Sequence, residues 1–597
     1  MSASGVALPL TQGGGFLIEE RASAEIFTAE DLSEQHLAIA RTVDEFWGRE
    51  VEPNLPAIRR QEKGVVREIL QKAAAIGLTA IGIPEEFGGM ELDLASEVLA
   101  TEHLGRDGSY SGWHSGHTGI GTLPVLYFGT EQQKRKYLPK LASMQMLGAY
   151  ALTEPQAGSD ALAARTRADL SSDGKFYLLN GQKMWITNGG EADLFTVFAK
   201  VGGEHFTALL VERGFGVKSG AEEHKMGLKG SSTTALYFDN VPVPVDNVLG
   251  EIGRGHIIAL NVLNIGRLKL GAGAVGAAKA TLAVSLAYAK ERKAFGSAIA
   301  EFGAIRHKLA EMAIRIFATE SMTWRVVGQI ESRLEGFSWN RPEASEAMLR
   351  AVEEYAAECS MVKVYGSEAL GYVADEGVEI HGGYGYHQDY AVERAYRDAR
   401  IHRIFEGTNE INRLIITGFL LKRALSGQLP LMPAIKKLMD EVLSGPSTGD
   451  EIEGPLAEER KLVTQAKKLG LFAAGSATQK YMQTIQDQQE VMGAIADMTI
   501  ETYAMESAVL RAQKLVEAKG EREAALAIAM TRVYLAQAMD KIESAAKRII
   551  AAVAEGDMLR TQLAILRRLA KYEPFNTIEL RRQIAQRTIE VGKYSLA

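Results

Sequence analysis

Apolar residues recur at three- and four-residue steps in "EQHLAIARTVDEFWGREV" and "VVREILQKAAAIGL", so residues 35–149 are predicted to be helical. Residues 1–34 carry only weak periodicity and read as an extension. From 150 to 255 the pattern shortens. Asp173-Gly174 and Asn180-Gly181 fall between short apolar and aromatic runs, and "EHFTALLVE" and "TTALYFDNVPV" continue as strands. Such dipeptides are hairpin signals, so this segment is predicted to be an antiparallel sheet or barrel. Helical spacing returns in Ala-rich runs over 256–425. "SGPSTGDEIEGP" at 444–455 then breaks every pattern, and 426–455 is assigned as a flexible linker. Residues 456–597 are helical again, with Lys/Glu and Arg/Glu neighbours on their polar faces.

Composition narrows the class. A chain of 597 residues exceeds what one core usually serves, so several domains are expected. The formal net charge of -8 gives nucleic acid no global attraction, and no nucleic-acid partner is expected. The single cysteine, Cys359, excludes an internal disulfide framework and Cys-built metal sites, and fits a reducing compartment. The N-terminus lacks a basic region, a long apolar core and the Arg-rich character of transit peptides. The run at 270–290 is mostly Ala and Gly around Lys279, and reads as a buried bundle helix rather than a membrane span. In "LPLMPAIKKLMDEVL", 429–443, helical apolar spacing with Lys436 and Lys437 suits either an amphipathic helix docked on the protein or one lying on a membrane.

Several motifs have ordinary explanations. "GAGAVG", 271–276, matches a dinucleotide fingerprint, but the run before it has helical spacing, so close helix packing is the better reading. His114 and His117 have no acidic or Cys partner placed nearby, and no metal site is expected. Arg394, Arg397, Arg400 and Arg403 are three apart, as on a solvated helix face paired with Glu393 and Asp398. Gly112, Gly116, Gly119 and Gly121 could open a deep slot or let helices pack closely.

Glu406 in "RIFEGTNEINR", 403–413, resists such explanations. Thr408 can cap the following helix and Glu410 suits its first turn. Glu406 lies before the cap, beside Phe405, where an apolar wall would raise its pKa toward that of a general base. Gly407 would let a ligand approach the backbone.

"YALTEPQAGSD", "NGQKMWITNGG", "KMGLKGSSTT", "ERKAFG", "IHGGYGY" and "RIFEGTNEINR" occur in this order, and together they resemble the acyl-CoA dehydrogenase family over residues 38–422. The helical domain after 455, with "LPKLAS" and "LNIGR", looks most like the very-long-chain branch and its bacterial relatives. The resemblance implies a mainly α fold with a β-barrel middle domain: a helical domain, a barrel and a four-helix bundle, here with a C-terminal helical domain added. It implies FAD as cofactor, with Tyr150, Leu152, Thr153 and Ser159 near the flavin and Trp185, Ile186 and Thr187 among its other contacts. Arg292 and Phe295 would reach FAD bound mainly by a partner subunit, and Glu379, Gly382, Gly383, Thr408 and Glu410 would complete the cofactor site. Glu379 stands where the family often has glutamine, and Ala294 where some members have threonine.

By the same resemblance Glu406 is the base. It would take the α-proton of an acyl-CoA while hydride leaves the β-carbon for flavin N5, giving a trans-2-enoyl-CoA. The thioester carbonyl would be held by a flavin ribityl hydroxyl and the Glu406 N–H, as in an oxyanion hole. Ser159, Asn264, Arg267, Phe405 and Gly407 would line the acyl-CoA. Some relatives carry their base immediately before the arginine matching Arg267, where this chain has Gly266. The expected electron acceptor is an electron-transfer flavoprotein; an oxygen-using acyl-CoA oxidase and a flavin-bearing assembly scaffold are the alternatives. A homodimer in the bacterial cytoplasm, with possible peripheral contact to the inner membrane, is expected, and so is a long-chain substrate in fatty acid β-oxidation.

Overall fold

A computed structural model describes residues 8–341, 343–444 and 453–596. Residues 34–142 form short helices, among them Glu34–Phe46, Val65–Ala75, Leu94–Leu104 and Glu131–Ala142. Ser33, Asp93 and Thr130 each accept a backbone N–H at the start of one of these. Gly116–Gly121 winds as a single π turn directly after the Gly108–Ser115 helix.

The middle region is an eight-stranded sheet. Its strands are β1 (Gly148–Ala151), β2 (Arg167–Leu170), β3 (Phe176–Thr187), β4 (Leu194–Val201), β5 (His205–Glu212), β6 (Lys218–Glu222), β7 (Thr233–Pro244) and β8 (Val248–Leu249). The order is β6-β7-β3-β2-β4-β5-β8, with β1 added beside β4. Two pairs, β1–β4 and β2–β4, run parallel, so the sheet is mixed rather than antiparallel throughout. The chain returns to β4 only after the long β3 strand, which leaves β2 and β4 pointing the same way. Asp173-Gly174 makes the β2–β3 turn as expected. Asn180-Gly181 does not turn. It lies inside β3 at a register shift, where Gly181 adopts φ 145 and a Cβ would come 2.6 Å from the Thr166 hydroxyl.

Beyond the sheet, helices Gly255–Glu291, Gly303–Ser332, Ala356–His381 and Asn409–Leu425 pack as a bundle. The 270–290 run lies within the first of these; Val275, Ala278, Leu282 and Leu286 are buried in the core. Lys279 in that run pairs with Glu102 (2.6 Å) and with Glu320. Arg511, from the C-terminal helix Gln489–Lys519, closes on the same Glu320 at 2.7 Å, and the two cations hold that carboxyl down to about 2. A buried carboxylate shared by three helices ties the C-terminal domain to the bundle, since removing any one partner would strand a charge.

Residues 8–33 form a strap of short 3₁₀ turns across that seam rather than a loose extension. Gly13 and Gly14 donate to Glu354 (2.9 Å) and Glu358 (2.7 Å), while Glu30 and Asp31 pair with Arg511 (2.7 Å) and Lys514 (2.6 Å). The linker assignment is corrected in part. Leu431–Ser444 is a helix whose Leu431, Leu438 and Val442 are buried against the protein, while Lys436 and Lys437 face out. Residues 445–452, the heart of the expected linker, lie outside the described residues.

Candidate active site

Glu406 sits in a left-handed turn. It has φ 57 and Gly407 has φ 83, a pair of conformations that only the glycine adopts without cost. The turn is held through its carbonyls. Arg267 Nε–H donates to Glu406 O at 3.1 Å, Lys363 Nζ donates to Gly407 O at 2.7 Å, and Asn412 Nδ2 donates to Gly407 O (2.8 Å) and Thr408 O (3.0 Å). Thr408 then caps the Asn409–Leu425 helix, its hydroxyl accepting Ile411 N–H at 3.2 Å. The Glu406 N–H has no acceptor among the described residues.

This turn projects the Glu406 side chain onto the bundle helix that carries Gly266. A Cβ at Gly266 would lie 2.8 Å from Oε2 and 3.0 Å from Cδ of Glu406. Part of the residue is solvent-accessible, but Oε2 is buried and has no hydrogen-bond partner. Loss of hydration raises the Glu406 pKa to about 7, against the opposing pull of Arg267 and Lys363. The aromatic wall is not mainly Phe405, whose ring stands edge-on to His402 and is 38% exposed. Gly266 lies directly against the carboxylate instead, and the buried Tyr150, whose hydroxyl is also unpartnered, is near enough to feel the Glu406 charge. Arg267 is buried and braced by Asn264 Oδ1 at 2.8 Å.

Leu152, Thr153 and Ser159 follow β1, and β3 comes beside them: Met184 N–H donates to Thr153 O at 2.9 Å. The loop is pinned underneath by a fully buried pair, Lys183 Nζ to Glu154 at 2.7 Å. A second register shift in β3, between Lys183 and Ile186, puts Trp185 at φ 60 with half its surface in solvent, beside buried Ile186 and part-buried Thr187. The bulge thus presents the Trp185 ring outward from a strained backbone.

Arg292, Phe295, Glu379, Gly382 and Gly383 are not brought to this place. Arg292 follows the end of the helix that carries Gly266, 26 residues on, which at 1.5 Å per residue puts it roughly 40 Å away. There Arg292 lies over the Tyr384 ring, Phe295 tips a two-residue turn and is 96% exposed, and a Cβ at Gly382 or Gly383 would meet nothing within 4 Å. Glu379 and Glu410 are exposed. His117 serves structure: its ring joins Leu141 O (3.0 Å) to Gly148 N–H (3.0 Å). A cleft of about 530 Å³ between the bundle and the C-terminal helices does not include Glu406, so volume alone does not locate the chemistry.

Motif reading passes over Lys363 and Asn412, which hold the Glu406–Gly407 turn. Lys363 is buried, which lowers its pKa to about 8. Its trace in the sequence is a lone lysine inside the apolar run "CSMVKVYG".

Family models described as acyl-CoA dehydrogenase N-terminal, middle and C-terminal domains match residues 33–145, 149–241 and 253–421, and a further C-terminal domain model matches 465–568. A probable acyl-CoA dehydrogenase of Bacillus subtilis (strain 168) is 46% identical over 99% of both chains. This chain belongs to the acyl-CoA dehydrogenase family. The very long-chain specific mitochondrial acyl-CoA dehydrogenase of Rattus norvegicus is 37% identical over 78% of this dehydrogenase and 72% of its own length. A crystal structure of an acyl-CoA dehydrogenase complexed with FAD from Bacillus anthracis superposes with a TM-score of 0.96, at 46% identity, over 98% of this chain and 100% of that one. The family is one of FAD-dependent oxidoreductases.

Proposed function

We propose that this dehydrogenase oxidises a straight-chain, preferentially long-chain, acyl-CoA to its trans-2-enoyl-CoA in fatty acid β-oxidation, with Glu406 as the base. The observation that carries this reading is a desolvated carboxylate whose Oε2 has no partner and whose pKa is raised to about 7. Such a group is a poor surface ion and an effective proton acceptor near neutral pH. Its role is to take the proton from the α-carbon. The Glu406 N–H, free of any acceptor among the described residues, is available to the thioester oxygen as negative charge develops there. Arg267, Lys363 and Asn412 hold the turn, so neither the base nor its N–H need reorganise during the step.

The residues present suit FAD. Trp185 offers an outward ring face, Tyr150 an unsatisfied hydroxyl, and the Asn409–Leu425 helix an N-terminus where anionic groups are favoured. When bound, FAD supplies the acceptor for the hydride that leaves the β-carbon. The roughly 40 Å between Glu406 and the Arg292–Phe295 turn supports a homodimer in which each chain lends that turn, with Gly382 and Gly383, to its partner's cofactor. An electron-transfer flavoprotein is the proposed electron acceptor. Anaerobic titration with acyl-CoAs tests the reading: flavin bleaching followed by reoxidation with the flavoprotein supports it. Rapid oxygen consumption during turnover would assign an oxidase instead, and no bleaching with any acyl-CoA would leave only the scaffold role.

A further inference from the structure

This inference rests on the acyl-CoA reading above, in which Glu406 is the base. Lys363 clamps the turn that carries it, and Lys363 is itself held from the other side. Its Nζ donates to Asn409 Oδ1 at 2.8 Å as well as to Gly407 O. Lys363 and Asn409 are both buried, so neither can exchange these partners for water. An asparagine amide has two ends, and only one suits an ammonium. The oxygen accepts, whereas the NH2 group would meet Lys363 donor to donor. Whatever fixes the amide the right way round therefore fixes Lys363.

Two acceptors do so. Asn409 Nδ2 donates to Ser367 Oγ at 3.0 Å and to Glu368 Oε1 at 3.0 Å. The Ser367 hydroxyl gives its proton to Val364 O, which leaves its oxygen to accept. Ser367 could turn that proton toward a reversed amide; a Glu368 carboxylate, which only accepts, could not. Glu368 is held in turn by Arg413, whose Nη2 lies 2.9 Å from Oε1 and 3.2 Å from Oε2. Arg413 Nε donates to Asp497 Oδ1 at 2.7 Å. Asp497 lies on Gln489–Lys519, so a chain of contacts runs from the C-terminal domain to the base through Arg413, Glu368, Asn409 and Lys363. Arg267, Lys363 and Tyr150 are the titratable groups that face Glu406. Glu406, Arg267, Glu368, Glu410 and His402 face Lys363.

We propose that Glu368, braced by Arg413 and by Asp497 of the C-terminal domain, is a positioning residue for the base: it orients Asn409 so that the Lys363 ammonium stays under the Glu406–Gly407 turn. The side chains of Glu368 and Asp497 are each 41% exposed, and ion pairs so wet stabilise a fold little. Their work is orientation. The C-terminal domain thereby takes part in the chemistry as well as in the packing of the bundle.

The test uses the holoenzyme and two variants that each remove one anion, Glu368→Gln and Asp497→Asn. The reading is the acid limb of anaerobic flavin reduction by palmitoyl-CoA against pH. Charge alone fixes one sign: losing an anion favours an ionised Glu406 and moves the limb to lower pH. Loss of orientation has the opposite sign, because a displaced Lys363 no longer favours the ionised base. The limb should rise by about 0.3–1 pH unit in Glu368→Gln and by less in Asp497→Asn, so reduction on the acid side slows by up to about tenfold. The loss falls on kcat, with KM within about twofold of wild type, as for an interaction that does not bind substrate. The C=O stretch of the protonated Glu406 carboxyl, assigned by its loss in Glu406→Gln, should show the same shift by infrared titration without substrate. A limb that stays or falls in either variant, with flavin content intact, overturns the proposal. Should Glu368→Gln not fold, the half-exposed Asp497→Asn decides alone. A wild type that bleaches with no acyl-CoA overturns the acyl-CoA reading instead, and the infrared titration then decides whether this chain of contacts acts on Glu406.

Discussion

The Glu406 carboxylate rests on the face of Gly266: a Cβ at position 266 would come within 2.8 Å of Oε2. The late turn that carries the acid and the earlier helix that carries the glycine therefore converge on one point. Gly266→Ala should fold and bind flavin but displace the base, and so lower the rate of flavin reduction by about a hundredfold. Gly266→Glu combined with Glu406→Gly should recover part of the activity that Glu406→Gly loses, because an acid on the helix addresses the same point from below. Stopped-flow reduction of the three variants checks both, and a double variant no more active than Glu406→Gly would place Gly266 away from the reacting carbon.

The raised pKa of Glu406 has a cost in stability. In the folded chain the carboxyl ionises near pH 7, against an ordinary value of 4.5. Between these values the folded state holds a proton that the unfolded chain has lost, so this group makes stability fall as pH rises, with the full penalty above about pH 7. Glu406→Gln should therefore be more stable than wild type by on the order of 1–3 kcal/mol near pH 8, with the gap closing toward pH 4–5. Chemical denaturation at the two pH values reads this directly.

Lys363 pulls the Glu406 pKa down while its amine clamps the turn. Lys363→Met should move the acid limb of the kcat/KM profile to higher pH, by up to about one pH unit. A merely structural lysine would lower activity at every pH and leave the limb where it was.

Much of this organisation is visible in the sequence because it is local. Thr408 followed by a helical run announces a cap, and Glu406 stands out because no cap or helix position explains it. The strap of residues 8–33 reads as an extension because its anchors, such as Thr11 to Tyr355 and Glu30 to Arg511, are hundreds of residues away. Asn180-Gly181 looks like a turn, yet the glycine is there to pass Thr166 within one continuous strand. Lys363 is hidden by its apolar neighbours, which mark it as core; only the fold shows that its amine reaches Gly407. Distance along the chain likewise hides the Arg413–Asp497 pair, joined across 84 residues.

Phe295 is 96% exposed at the tip of a turn and meets its own chain only edge-on at Phe302, 6.0 Å between ring centroids, so nearly all of its hydrophobic surface stays uncovered. If the proposed homodimer shares its cofactor site through this turn, Phe295→Asp should weaken self-association and lower flavin retention together, with the individual chain still folded. Light scattering and the flavin-to-protein absorbance ratio after gel filtration measure the two effects; a flavin-replete, fully dimeric variant would contradict the shared cofactor site.

The most direct measurement is anaerobic flavin reduction by acyl-CoA in Glu406→Gln. The substitution keeps the shape of the side chain and removes its basicity. The variant should retain wild-type flavin content and bind the thioester, yet reduce its flavin about 10²–10⁴ times more slowly, the usual contribution of a general base. Reduction at the wild-type rate would contradict the assignment of Glu406 as the proton acceptor.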